Sequence, residues 1–337
     1  MARIPSELTL LAVLSVNLVL LISSPGLSQS QSSLATVYST TPEVASSAPS
    51  GTGSVEAKSA SFRVAVDLVL VPVTVTDALN HPHTDLDRED FRIYEGDQAQ
   101  QIRYFSTEDS PISVGLLLDV SKSMQDKIAT ERAAVDEFFK NANPEDDYFV
   151  ITFNNRPRVL SDVTQSTAGI ESELGLVEPS GSTALLDAVY LGVDKLRNAQ
   201  YSRRALVIIS DGGDNSSRYR LKEIKSLVAE SDVMVYAIGI FDSGPFKSFE
   251  ESMGKRWLST MTDVTGGRTT TVDNLAKLPE VSALLSRELR SQYVIGYHPL
   301  DKATDGKWRK IKVVVTTPSD TDPLRPYYRK GYYASTP

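Results

Sequence analysis

The stretch Leu116-Leu117-Leu118-Asp119-Val120-Ser121-Lys122-Ser123-Met124 most constrains what this chain can become, because an apolar strand ends there on an aspartate followed by hydroxyls at every second residue. Residues 114–118 are continuously apolar, as a strand buried on both faces of a parallel sheet should be, and they deliver Asp119 to the carboxyl end of that sheet, where ligands collect. Asp119, Ser121 and Ser123 offer one carboxylate and two neutral hydroxyl oxygens from a single turn, which suits a hard divalent cation with near-octahedral oxygen coordination. Two further oxygen donors stand far downstream, Thr183 in Ser180-Gly181-Ser182-Thr183 and Asp211 in Ile209-Ser210-Asp211-Gly212, each at a strand end or in a loop before a helix. Taken singly, each of these residues is an ordinary helix cap or turn former. Their conjunction, in this order and in these positions, points to a metal site.

The set Asp-x-Ser-x-Ser, loop threonine and strand-end aspartate resembles the metal-ion-dependent adhesion site of von Willebrand factor A domains. That resemblance implies that Asp119, Ser121, Ser123 and Thr183 are direct or water-mediated ligands, with Asp211 usually bridged through water. It implies Mg²⁺ as the ion, with Mn²⁺ or Ca²⁺ as alternatives, and a protein partner that offers an acidic side chain to the open coordination position. Some such domains hold a second, neighbouring cation on consecutive acidic residues; here Asp126 is followed by Lys127, whose charge would repel it. Beyond the motif, the segments at residues 66–75, 90–96, 292–297 and 329–332 look like the bacterial VWFA-related family first described from Acidobacteria.

At 337 residues, 41% apolar and 23% charged, the chain has room for two domains plus extensions. Residues 1–28 resemble a secretory signal peptide: Arg3, an apolar run over residues 8–22, then small residues before a cleavage site near Ser28. The competing reading is an uncleaved membrane anchor, and only in that case is a membrane a partner. Both readings place the body of the protein outside the cytoplasm, secreted or in the periplasm or cell envelope. There are no cysteines, hence no disulfides and no lipid attachment through a thiol. The net charge of -8 argues against nucleic acid or an anionic lipid surface as partner.

Residues 29–60, rich in Ser, Thr, Ala and Gly, are too poor in large apolar residues to bury a face and read as a disordered linker. From 62 to 107 the period changes to two, with strands over 62–76, 91–94 and 101–105; Pro72 signals an edge or a bulge. Residues 108–290 then alternate strands (114–118, 148–153, 205–210, 233–240, 268–272) with amphipathic helices (126–142, 167–177, 184–198, 221–230, 255–263, 275–290). The expected fold class is therefore α/β, a doubly wound, mainly parallel Rossmann-like sheet. Residues 291–335 return to short strands at 292–297, 308–316 and 327–333. Neither flank is large enough alone, so the two are expected to pair into one β-sandwich with the α/β domain inserted between them.

An enzyme is the rival class. Only His81, His83 and His298 exist, all outside the inserted segment, so no Ser-His-Asp arrangement can be read there. His81 and His83 flank Pro82 in a turn, where solvation is their expected state. No glycine-rich nucleotide motif follows a strand, and no small-molecule substrate is expected. The reading is thus a non-enzymatic binding protein acting through metal-dependent protein contacts or adhesion. Its alternatives are a structural or assembly subunit of an envelope complex and a metal-dependent hydrolase using Asp211 or Asp214.

Overall fold

A computed structural model describes residues 68–107, 109–241, 249–316 and 323–336. The expected leader, the linker and the first part of the 62–76 strand lie outside the described residues. The chain opens with β1 (Val69–Thr76), β2 (Phe91–Glu95), β3 (Gln98–Gln100) and β4 (Ile102–Ser106). The inserted part follows: β5 (Ser113–Asp119), α1 (Ile128–Lys140), β6 (Asp147–Phe153), β7 (Pro157–Thr164), α2 (Thr167–Gly175), α3 (Leu185–Leu196) and β8 (Arg204–Ser210). It continues with α4 (Leu221–Glu230), β9 (Met234–Ile240), α5 (Phe249–Thr265), β10 (Thr269–Val272) and α6 (Leu278–Arg290). Four short strands close the chain: β11 (Tyr293–Tyr297), β12 (Trp308–Val315), β13 (Arg325–Tyr328) and β14 (Gly331–Tyr333).

The inserted part is a six-stranded sheet in the order β10-β9-β8-β5-β6-β7, parallel except for the last strand. Side chains of a strand alternate between faces, so β5 feeds two cores. Val114, Leu116 and Leu118 pack with Val135, Phe138, Ile170 and Leu285 from α1, α2 and α6. Leu117 packs with Leu186, Val189, Ile224 and Leu258 from α3, α4 and α5. Every residue of β5 is buried, which is why its sequence reads as an unbroken apolar run. The chain leaves β5 through α1 to β6 on one side and later returns to β8 on the other. The carboxyl end of β5 is thus a topological switch point, the place where such sheets leave a crevice.

The flanks form two antiparallel sheets, β13-β1-β11-β4 and β14-β12-β2-β3, each combining strands from before and after the insertion. Their inner faces share one core of Val71, Val73, Phe91, Ile93, Tyr293, Ile295, Ile311 and Val313. The Tyr297 and Tyr332 hydroxyls, from different sheets, both donate to Glu95 Oε2 at 2.9 Å. At the junction Arg203 donates to the carbonyls of Ser110 and Leu289 and to Gln292 Oε1, tying both chain crossings to the start of β8. This pole is opposite to Asp119, so the sandwich leaves the carboxyl ends of the parallel strands uncovered.

Three readings need correction. Residues 327–333 are not one strand: β13 and β14 belong to different sheets, and the chain changes sheet at Arg329-Lys330. The strand expected at 101–105 is found as β4, but the separate β3 just before it was not expected. The edge strand β7 was not expected at all. Pro72 lies inside β1 opposite Val294, but β13 pairs with β1 only from Val73 onward, so at Pro72 the strand is an edge on that side among the described residues.

Candidate metal centre

Three loops meet at the carboxyl ends of β5, β6 and β8. Beyond Asp119 the chain is held by Val120 N–H to the Phe153 carbonyl (2.9 Å), then makes a tight 3-10 turn over Lys122–Met124. The loop carrying Thr183 is bonded to it twice, by Lys122 N–H to the Gly181 carbonyl (3.1 Å) and Ser180 N–H to the Val120 carbonyl (2.9 Å). The third loop is tied to Thr183 from both sides. Asn215 and Ser216 N–H donate to its carbonyl at 3.0 Å, and its own N–H donates to Asn215 Oδ1 at 2.9 Å. Gly212 makes the third loop feasible: its φ is +79°, and a Cβ there would stand 2.7 Å from the backbone of Gly254 in α5.

Asp119 is fully buried. Its Oδ1 accepts the Ser121 N–H at 3.0 Å and its Oδ2 accepts the Ser210 hydroxyl at 2.5 Å; Ser210 in turn accepts the Gly212 N–H at 2.9 Å. A carboxylate has about four acceptor positions; these two bonds and the nearby Ser121 hydroxyl leave it unfilled. The Ser121 and Ser123 hydroxyls are 3.0 Å apart, Ser121 buried and Ser123 exposed. Thr183 is buried in the adjoining loop, and Asp211 lies close enough for its charge to act on Asp119. Burial first, and the charge of Asp211 second, push the Asp119 carboxyl up to about 6 despite the hydrogen bonds that favour its anion.

These residues suit a hard cation held mostly by hydroxyl and water oxygens. Among the described residues no three His, Cys, Asp or Glu gather into a cluster that could hold a metal, so a site here would carry few carboxylates and keep positive character. The buried, raised Asp119 carboxyl next to Asp211 is an arrangement that a cation would relieve.

Several residues escaped the sequence reading. Glu131 in α1 is fully buried and pushed well above the ordinary carboxyl range, first by burial and then by the charge of Asp119. Neither of its oxygens completes a hydrogen bond among the described residues. The signal was present: Glu131 falls on the same helical stripe as Ile128, Val135 and Phe138, where an acid is out of place. Asn155 accepts the Ser182 N–H at 2.7 Å. Asp214, named in the hydrolase alternative, instead accepts the Leu186 N–H (2.9 Å) and the Ser217 hydroxyl (2.6 Å), capping α3. The two histidines of the turn lie elsewhere, His81 beside Asp77 and His83 beside Asp85. A cavity of about 820 Å³ opens at the opposite pole, bordered by Leu70, Arg203, Met234 and Arg329, none of which belongs to the three loops.

Residues 114–213 match the family model described as von Willebrand factor type A domain. Similar solved structures include the conserved hypothetical protein BatB from Bacteroides thetaiotaomicron, at 15% identity and a TM-score of 0.43 over 53% of this chain and 100% of that one. A von Willebrand factor type A protein from Catenulispora acidiphila is 14% identical with a TM-score of 0.47, covering 72% of this chain and 65% of that one. An aerotolerance-related membrane protein from Bacteroides fragilis is 16% identical with a TM-score of 0.43, covering 53% and 98%. No curated protein matches in sequence.

Proposed function

We infer, from the match of residues 114–213 to the von Willebrand factor type A domain, a protein-protein interaction module that works through a divalent cation rather than an enzyme. Asp119, Ser121, Ser123 and Thr183 would hold the ion, Mg²⁺ by the chemistry of the donors, with Asp211 acting through water. The observation that carries this reading is the buried Asp119 carboxyl with spare acceptor capacity, set between Asp211 and the paired hydroxyls of Ser121 and Ser123. The bound ion supplies a positive centre that a partner's Asp or Glu can complete. The protein's own part is to fix the donors: the hydrogen bonds among the three loops hold them in place before anything binds, and the sandwich at the far pole leaves this face open. Exposed Lys122 on the first loop and exposed Arg156 on the turn between β6 and β7 favour an acidic partner. The leader-like first 28 residues support action outside the cytoplasm, with residues 62–107 and 291–335 as the carrier of the domain at 108–290.

The test is calorimetric titration of the purified protein with Mg²⁺ and Mn²⁺, beside Asp119→Asn, followed by titration of the loaded protein with a short glutamate-bearing peptide. Saturable binding of the ion to the wild type alone, with peptide binding abolished by chelator, is the expected result. No ion binding to the wild type would overturn the reading and leave a domain used as a structural or assembly scaffold.

A further inference from the structure

The lysine that the sequence sets against a second cation reaches the first site. Lys127 Nζ lies 3.6 Å from Asp211 Oδ2, and the two side chains are only 20% and 17% exposed. Its root is fixed: the Lys127 N–H donates to the Met124 carbonyl at 2.9 Å, and its carbonyl receives the N–H groups of Thr130 and Glu131 at 3.0 Å as α1 begins. The side chain therefore approaches Asp211 from a rigid platform. The other oxygen of Asp211 makes only a long contact, 3.4 Å, with the Gly213 N–H. Arg132 of α1 donates to the Val177 carbonyl at 2.6 Å and is directed elsewhere.

We propose that Lys127 is a built-in competitor of the divalent ion, an ammonium that neutralises Asp211 in the ion-free protein and holds the affinity of the site down. The inference rests on the metal-binding reading given above. An ion entering beside Asp119 meets a carboxylate already partnered by a positive charge. It must either displace that ammonium or bind in its field, and both oppose binding. Because the pair is largely shielded from solvent, salt and water weaken the effect less than they would at the surface. The lysine also gives the site a reason to need its partner. With the ion in place next to Lys127 the region is over-supplied with positive charge, and an acidic side chain from another protein restores the balance. Ion and partner then bind with mutual reinforcement, each raising the affinity for the other by the same factor.

The experiment is Mn²⁺ titration by calorimetry of the wild type, Lys127→Met and Lys127→Arg, with thermal unfolding of each in chelator and in saturating Mn²⁺. Methionine keeps the aliphatic stem and removes the charge; arginine keeps the charge. Lys127→Met should bind Mn²⁺ on the order of tenfold more tightly, and its midpoint should rise more on adding the ion than the wild type's does, while Lys127→Arg stays near the wild type. Equal or weaker binding by a Lys127→Met protein that unfolds cooperatively in chelator would overturn the competitor while leaving the metal site standing. Should the methionine variant fail to fold, Lys127→Gln carries the same expectation and the same refutation. Absence of Mn²⁺ binding in every variant would remove the metal site, and the competitor with it.

Discussion

Replacing Asp119 by Asn should make the ion-free protein more stable, the reverse of what a structural buried aspartate would do. The native carboxyl sits at about 6 against 3.8 in the unfolded chain, so the native state holds the proton more tightly. Stability contributed by this group is therefore lost as pH rises from near 4 through 6, to a total of about 3 kcal/mol at pH 8. Asparagine removes that penalty. It presents an amide to Ser210, whose hydroxyl now loses its acceptor, a cost of about 1 kcal/mol. The net expectation is a gain of about 2 kcal/mol at pH 8 that shrinks to zero or below at pH 4, where the wild-type carboxyl is protonated in the native state. Urea unfolding in chelator at the two pH values measures it. In saturating Mg²⁺ the order should reverse, because only the wild type gains the binding energy. A variant destabilised at pH 8 in chelator, or a difference that does not change between pH 4 and pH 8, would refute the reasoning.

Two other predictions concern buried charge. Arg268 and Glu288, almost fully buried, meet through contacts of 2.6, 2.9 and 3.2 Å; Arg268→Met strands the carboxylate and should cost about 3–5 kcal/mol in urea unfolding, much of it recovered in Arg268→Met with Glu288→Gln. In the sandwich, Tyr297→Phe or Tyr332→Phe alone leaves Glu95 with one phenol and should cost about 1 kcal/mol. The double variant leaves that 8% exposed carboxyl without either phenol and should lose more than the sum, which a double-mutant cycle by denaturant unfolding will show.

The parallel strands were legible because β5, β6, β8 and β9 are buried on both faces and their sequences carry that burial as unbroken apolar runs. The strand β7 was not, because an antiparallel edge strand with Arg158, Ser161 and Asp162 along it shows neither a run nor an alternation. The passage from β13 to β14 has no local signal either, since changing sheet is decided by where β1 and β12 already lie. Helix α5 begins at Phe249, earlier than residue 255, and the reason is instructive. Gly254 resembles a helix breaker, yet it sits inside the helix because a Cβ there would come within 2.6 Å of the Gly212 backbone. Gly254 is a packing requirement of the loop that carries Asp211.

The candidate site divides along the same physical line. Its donors were readable because Asp119, Ser121 and Ser123 share one turn, and a turn's geometry is local. Its charge balance was not, because it depends on how α1 seats against the ends of β5 and β8: only the packed helix puts Glu131 behind Asp119 and Lys127 against Asp211. Asp119→Asn and Lys127→Met therefore test different layers of one mechanism. The first removes a donor and with it the electrostatic penalty of an empty site; the second keeps every donor and removes the charge opposing the ion. A protein in which Asp119→Asn abolishes binding and Lys127→Met strengthens it has its ligands written in local sequence and its affinity set by tertiary packing. If both substitutions weakened binding, Lys127 would be an orienting partner of Asp211, and the affinity would rest on the geometry of the three loops alone.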